Sequence, residues 1–221
     1  MKKKNLILIF SLVLVLNGCL NYTQITTIRT DDSGESYIHY WMKFYTKNDS
    51  SLISQLGIFN KDTLVNQFSA SFTKINSLKV FKDFSDSTIH AQIKFKFSKF
   101  DSLNLLRPFK NSELSIKKGP NGTKIFSQFI PPFATGFGFD TKSIKIKYTY
   151  YLPGEIINNN ATSKSNNKLV WDYSLDDIGK GKIISATYIP FRLKETPPII
   201  YALALIVLLI VLLFLFKKKK V

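Results

Sequence analysis

The sequence has very little cysteine and histidine. Its 221 residues include one cysteine and two histidines, His39 and His90. One cysteine excludes both a disulfide framework and a cysteine-based zinc cluster. The histidines stand in strand-like segments without the acidic spacing of a metal site, so we expect no metal and no cofactor. Nucleophile-elbow and phosphate-loop motifs are also missing. We therefore expect no catalytic residues and predict that the protein is not an enzyme.

Acidic residues are scarce as well, with 15 against 31 lysines and arginines. Seven of the basic residues, Lys2–Lys4 and Lys217–Lys220, flank apolar segments, as basic residues on the cytoplasmic side of a membrane do. The excess therefore does not require a nucleic-acid partner. The remaining positive charge suits either an anionic lipid surface or a solvated lysine face. Thirty-one aromatic residues exclude a disordered chain.

The N-terminus has the parts of a secretory signal. Residues 1–18 join a basic start, an apolar stretch from Leu6 to Leu16 that is too short to span a bilayer, and Gly18. The only cysteine, Cys19, follows directly. This arrangement resembles a bacterial lipoprotein signal, in which cleavage after Gly18 leaves Cys19 carrying diacylglycerol and a palmitate-type chain. An ordinary signal peptide with an incidental cysteine is the alternative.

The C-terminus contains an uninterrupted apolar run. Eighteen uncharged residues extend from Ile199 to Phe216, which is about 27 Å of helix. We therefore predict a transmembrane helix over 197–216 and a basic cytoplasmic tail over 217–221. On this prediction residues 19–196 form an extracytoplasmic domain at the plasma (inner) membrane. A buried helix of a soluble domain is the alternative.

Between these segments, strand patterns predominate. Alternating residues and turn signals predict three hairpins, over 22–47, 77–97 and 114–129, and further strands over 143–152, 168–175 and 182–189. Residues 49–72 have apolar positions at helical spacing, with Asp49 and Asp62 as candidate N-caps, and predict one or two short helices. The Asn-rich stretch 158–167 is expected to be a loop. This order predicts an α+β fold built on an antiparallel sheet.

Several short motifs resemble one known family. They are Gly18-Cys19, an acidic glycine-containing turn in the first hairpin, Leu152-Pro153-Gly154-Glu155, and Leu169-Val170-Trp171-Asp172 followed by Ala186. Together with the C-terminal apolar segment and basic tail, they make the chain similar to the LppM-type lipoprotein domain family. The resemblance implies an α+β ectodomain on a membrane anchor. It implies no catalytic residues.

Two other groups of residues are candidates for a site. Phe133, Phe137 and Phe139 lie in a Pro/Gly/Phe loop and would contact lipid or an apolar ligand if exposed, or pack in the core if buried. The pairs Asp31-Asp32 and Asp176-Asp177 stand beside glycines and are expected to be turn residues.

These observations favour a membrane-anchored, non-catalytic lipoprotein whose domain binds a lipid, a glycolipid or an envelope protein. One alternative is an interaction subunit of a membrane complex. Another is a type I protein of the endoplasmic reticulum, because Lys218-Lys219-Lys220-Val221 matches a retrieval signal and four Asn-x-Ser/Thr sequons occur.

Overall fold

The computed structural model describes residues 20–43, 57–132, 144–191 and 198–216. These residues belong to two compact units, divided between Phe191 and Arg192. The predicted signal peptide over 1–18 and the basic tail over 217–221 lie outside the described residues, as does the first part of the predicted helical region, residues 49–56.

The first unit contains a seven-stranded sheet. Its strands are β1 (Leu20–Ile28), β2 (Gly34–Lys43), β3 (Thr73–Asp83), β4 (Thr88–Phe97), β7 (Lys145–Tyr151), β9 (Ser163–Ser165) and β10 (Lys168–Ser174). Their order across the sheet is β3-β4-β2-β1-β7-β10-β9. The hairpins predicted over 22–47 and 77–97 are confirmed, since β1 pairs with β2 and β3 with β4. The alternation predicted in β7 is also confirmed, with Ile146, Tyr148 and Tyr150 buried on one face.

A second sheet has the order β5-β6-β11-β8. Its strands are β5 (Ser115–Lys118), β6 (Lys124–Ile130), β8 (Gly154–Asn159) and β11 (Lys182–Pro190). The hairpin predicted over 114–129 is confirmed as β5 and β6. The predicted loop over 158–167 is wrong, because β8 ends inside it and β9 lies within it. Strand β9 pairs with the neighbouring β10 and β8 pairs with β11, and the polar composition of the stretch does not reveal either pairing.

The fold class predicted from sequence is wrong in its strand content and in the number and type of its sheets. The described residues are mostly β-sheet with three α-helices, and they form two sheets rather than one. The larger sheet is also mixed, because β1 and β7 run parallel, with Ile25 opposite Thr149. That pairing joins residues more than 120 positions apart, so the local alternation that predicts strands carries no information about it.

The first helix, α1 (Lys61–Phe68), is short and amphipathic. It buries Leu64 and Phe68, which are four residues apart and share a face. Its N-cap is Asn60, whose side-chain oxygen accepts a hydrogen bond from the backbone N–H of Thr63 at 2.9 Å. The prediction of Asp62 as the cap is therefore wrong; Asp62 lies in the first turn, where its charge suits the helix dipole.

Two further helices follow. The four-residue α2 (Leu175–Ile178) lies in the first unit, and α3 (Pro198–Phe216) forms from the apolar C-terminal run in the second. The predicted transmembrane helix is wrong: none of the helices formed by the described residues has both the length and the apolar character needed to cross a membrane. The apolar run indicated a helix correctly, but apolar composition alone did not establish a span.

The two sheets of the first unit pack against each other through aromatic side chains. Phe126 of β6 lies 4.5 Å from Tyr150 of β7 and 6.0 Å from Trp171 of β10, between ring centroids. All three side chains are fully buried. Burial of three such large rings supplies a substantial part of the hydrophobic free energy that holds the sheets together.

Candidate functional site

The lipidation and lipid-contact residues that the sequence proposed are not among those described. Gly18 and Cys19, the predicted cleavage and lipidation positions, lie outside the described residues, and so do Phe133, Phe137 and Phe139. The chain enters that Phe-containing loop through Pro131, which lines the cavity described next.

A cavity of about 230 Å³ lies between the large sheet and α1. The sheet contributes inward-facing side chains from β1, β2 and β7, and α1 contributes its buried face. The 3₁₀ turn at 107–109, Ser112 and the end of β6 close the other side. The lining residues are Tyr22, Gln24, Ile38, Tyr40, Leu64, Gln67, Phe68, Pro108, Phe109, Ser112, Gln128, Pro131 and Tyr148. Most of the wall is apolar or aromatic.

Polar side chains form a connected chain at the floor of this cavity, where Tyr22, Gln24 and Gln128 line the space and the fully buried Tyr150 joins them without lining it. The Tyr22 hydroxyl donates to Gln24 Oε1 at 2.8 Å, and Gln24 Nε2 donates to the Tyr150 hydroxyl at 3.0 Å. The Tyr150 hydroxyl then donates to Gln128 Oε1 at 2.6 Å. This chain crosses from β1 through β7 to β6, so it links the two sheets. Buried hydrogen bonds of this kind fix side-chain positions because an unpaired partner would be costly.

Gln24 also anchors a second branch of the network. Its Nε2 donates to Thr26 Oγ1 at 3.1 Å, and the Thr26 and Ser36 hydroxyls are 3.0 Å apart. Gln24, Thr26 and Ser36 are each at most 2% exposed. The side-chain amide of Gln24 thus donates to two acceptors, Thr26 and Tyr150, and these bonds fix its orientation at the floor of the cavity.

The tyrosines at the cavity are neutral hydrogen-bonding groups at physiological pH. Burial raises the pKa of Tyr22, Tyr40, Tyr148 and Tyr150 above the ordinary value, because the phenolate form would lose its hydration. For Tyr22, nearby tyrosines raise the pKa further. The Tyr40 hydroxyl donates to the backbone carbonyl of Ile58.

The lining within the described chain carries no ionisable carboxylate, ammonium, guanidinium or imidazole. An ion entering such a site would lose hydration without gaining a counter-charge, which costs several kcal/mol or more. A neutral group with hydroxyl or amide functions would instead find partners in the Tyr and Gln side chains. The site is therefore suited to an uncharged ligand that is partly apolar.

A second, more open depression of about 430 Å³ shares Gln67 with the cavity. It lies between the C-terminal half of α1 and the 3₁₀ turns at 101–105 and 107–109, and is lined by Thr63, Asn66, Gln67, Ser69, Ala70, Phe72, Leu105, Leu106 and Arg107. Its wall is more polar. Arg107 lines this depression but not the cavity.

The pair Asp31-Asp32 lies in a turn, as expected from the sequence, whereas Asp176-Asp177 lies in the short helix α2, which corrects that part of the prediction. Asp31 Oδ1 accepts hydrogen bonds from the backbone N–H and the hydroxyl of Ser33, which lowers the pKa of Asp31. Asp177 and Ser174 form a capping box at the start of α2. Asp32 adopts a positive φ of 64° and pairs with Lys124 at 2.6 Å.

The sequence alone does not reveal the polar floor, because its residues look ordinary in isolation. In β1, Gln24 and Thr26 occupy inward-facing positions between Tyr22 and Ile28. A glutamine on the face that alternation assigns to the core was the available signal. Its partner Tyr150, which links it to Gln128, is 126 residues away, so the contact itself had no local signature.

Comparisons with known proteins find similarity among solved structures only. No protein-family model matches the chain, and no curated protein matches it. Among solved structures, the chain is similar to the folded domain of the LppM protein of Mycobacterium tuberculosis, determined by NMR. The identity is 16%, the TM-score is 0.46, and the match covers 80% of this chain and 93% of that chain. Membership of the LppM-type family stays a prediction.

Proposed function

We propose that the protein is a non-catalytic binding module for a neutral amphiphile, such as a lipid or glycolipid with an uncharged head group. One observation carries this proposal: an apolar cavity beside α1 has a floor of hydrogen-bonded Tyr and Gln side chains and an uncharged lining. An apolar tail would contact Leu64, Phe68 and Phe109. A hydroxyl- or amide-bearing group would contact the tyrosine and glutamine side chains.

The size of the cavity limits what it can hold. Pockets for drug-sized ligands have volumes of roughly 300–1,000 Å³, and about 230 Å³ is slightly smaller. The cavity would therefore take a small amphiphile or one end of a longer one. The more open depression on the other side of Gln67 offers polar groups for the remainder.

The place of action is the membrane surface of the cell envelope. The support for this is the Gly18-Cys19 sequence, since acylation of Cys19 would tether the domain where such amphiphiles occur. The lipid anchor is a proposal from sequence, independent of the cavity. Intact-mass measurement of the mature chain tests it, with an acylated N-terminal Cys19 as the expected result and an unmodified N-terminus as the contradicting one.

The binding proposal predicts selective photolabelling of the cavity. The full-length protein in lipid nanodiscs is irradiated with a diazirine-bearing decyl glucoside or with the decanoate of the same tail. We expect the glucoside to label α1 and residues 108–112, and the decanoate to label them at least tenfold less, because the lining has no counter-charge for a carboxylate.

Two variants on α1 provide the matched comparison. Gln67→Phe places a ring in the cavity and should reduce glucoside labelling at least tenfold. Val65→Phe adds the same ring at a position that is 36% exposed and lines neither the cavity nor the depression. It should leave labelling unchanged. Equal labelling by both probes, or labelling unaffected by Gln67→Phe, would contradict the proposal.

A further inference from the structure

The two histidines of the chain meet on the outer face of the large sheet. His39 lies on β2 and His90 on the neighbouring strand β4, at diagonal positions, because His90 is opposite Trp41 in the register and His39 is opposite Gln92. The two residues are 51 positions apart in sequence, so spacing did not reveal their contact. His39 Nε2 and His90 Nδ1 are separated by 3.0 Å.

Hydrogen bonding fixes the tautomer of His90. The Thr88 hydroxyl donates its proton to Asp86 Oδ1, so Thr88 Oγ1 is left to accept from His90 Nε2 at 2.7 Å. His90 Nε2 therefore carries the proton in the neutral ring, and the lone pair is on Nδ1, facing His39. The metal-free pair is then joined by an N–H···N bond from His39 Nε2.

Aromatic neighbours hold the imidazole of His90 in place. Its ring stacks on Phe81 with centroids 4.8 Å apart and planes 10° apart, and the Trp41 ring centroid lies 6.1 Å away. Asp83 at the end of β3 lies near His90; its carboxyl accepts hydrogen bonds from the hydroxyl and the backbone N–H of Ser85, and these bonds lower its pKa. Lys79 faces the same side from β3, opposite Gln92. The two histidines are thus half-buried, with the carboxylates of Asp83 and Asp86 at the turn between β3 and β4.

We propose that His39 and His90 together bind a divalent transition-metal ion, with Cu²⁺ bound most tightly. When two imidazole nitrogens bind one metal ion, each metal–nitrogen bond is about 2.05 Å long and the N–metal–N angle is about 90–109°, which places the nitrogens about 2.9–3.4 Å apart. The observed separation of His39 Nε2 and His90 Nδ1 falls in that range. Imidazole is a preferred ligand for copper, and Cu²⁺ stands highest in the divalent affinity series.

The hydrogen-bonded Thr88 and Asp86 side chains orient the imidazole of His90 without binding the metal themselves. Metal-binding histidines usually donate the other ring N–H to a polar group, which orients the ring, and His90 already does so. Binding requires His39 to move its proton from Nε2 to Nδ1, with no net loss of a proton from the neutral pair. Among the described residues no group of three or more His, Cys, Asp or Glu suits a metal, so water completes the coordination.

Pulsed EPR on Cu²⁺ tests this site directly. The full-length protein is prepared without a histidine tag and with Cys19→Ser, which removes the only thiol, and receives less than one equivalent of Cu²⁺. Because His39 and His90 are the only histidines, a two-imidazole signal in this chain requires both. We expect two imidazoles per copper in this protein. His39→Gln and His90→Gln should each leave at most one and bind at least tenfold more weakly.

Thr88 provides a second comparison. Thr88→Val removes the hydroxyl that positions His90 and should weaken copper binding about tenfold, whereas Thr88→Ser should retain it. Unchanged urea midpoints would show that these variants remain folded. Copper with one imidazole or none in the protein with both histidines, or equal affinity in the histidine variants, would overturn the proposal and leave the pair as a hydrogen bond only. The cavity is not involved, so neither result bears on amphiphile binding.

Discussion

Buried polar side chains in this protein are stabilised mainly by one another. Gln24 contacts Tyr22, Thr26 and Tyr150, and Gln128 receives the hydrogen bond of Tyr150. Each group would be costly to bury alone, at about 1–3 kcal/mol for an unpaired donor or acceptor. Their mutual satisfaction allows a polar surface to persist inside an apolar core, which is what a site for an amphiphile requires.

Close packing, and not backbone conformation, leaves no room for a side chain at Gly34. A Cβ on Gly34, at the start of β2, would lie 2.2 Å from the Thr27 carbonyl oxygen and 2.5 Å from the Phe97 ring. Backbone cannot move aside without disturbing the β1–β2 pairing. We expect Gly34→Ala to lower the free energy of unfolding by about 2–3 kcal/mol.

Gly57→Ala is the comparison for this prediction. Gly57 has a φ of +69° but no heavy atom within 4 Å of a Cβ, so only left-handed strain of about 1 kcal/mol is expected. Urea unfolding of both variants measures the difference. A Gly34→Ala effect no larger than that of Gly57→Ala would show that the contact with Thr27 relaxes at little cost.

At the level of elements, the start of α2 depends on a reciprocal cap. Asp177 Oδ2 accepts from the Ser174 hydroxyl at 2.6 Å and from its backbone N–H at 2.8 Å. The Ser174 oxygen accepts in turn from the Asp177 N–H at 3.3 Å. The hydrogen bond from the Ser174 hydroxyl lowers the pKa of Asp177 most, and the bond from the Ser174 backbone N–H lowers it further.

Ser174→Ala should therefore destabilise the protein in a pH-dependent way. A carboxyl whose pKa is lowered by folding adds stability above its unfolded pKa of about 4, and that stability is lost as pH falls through the lower folded value. We expect a loss of roughly 0.5–1 kcal/mol at neutral pH from removing the serine cap, decreasing below about pH 4. Urea unfolding at neutral and acidic pH measures it.

Ser98→Ala is the matched control, because Ser98 is exposed and its backbone N–H bond to Phe72 is unaffected. It should change stability little at either pH. If the effect of Ser174→Ala were the same at neutral pH and below pH 3, the contribution of Asp177 to the cap would be disproved.

The elements with local signals were the predictable ones. The turn at Ser85-Asp86-Ser87 and the alternation in β4 placed a hairpin at 77–97, and the structure confirms it. The helix cap was misassigned because Asn60 and Asp62 are both good N-caps, and only geometry distinguishes them. Strand β9 has three polar residues and no alternation, so it is defined only by its pairing with β10.

At the scale of the whole molecule, what sequence could not provide is long-range pairing. The parallel pairing of β1 with β7 and the packing of Phe126 against Tyr150 join segments that are not adjacent in sequence. The cavity exists only because of these contacts, since β1, β7, β6 and α1 each supply part of its wall. For the same reason, the histidine pair appeared in the sequence as two unrelated strand residues.

The central claim is that the cavity selects a neutral amphiphile, and one pair of affinities tests it most directly. The protein has a formal net charge of +16, so surface attraction alone would favour an anionic ligand. Dissociation constants of the full-length protein in nanodiscs are measured for decyl glucoside and decyl sulfate, below micelle formation and at high salt to screen surface charge. The account predicts at least tenfold tighter binding of the glucoside; equal or tighter binding of the sulfate would contradict it.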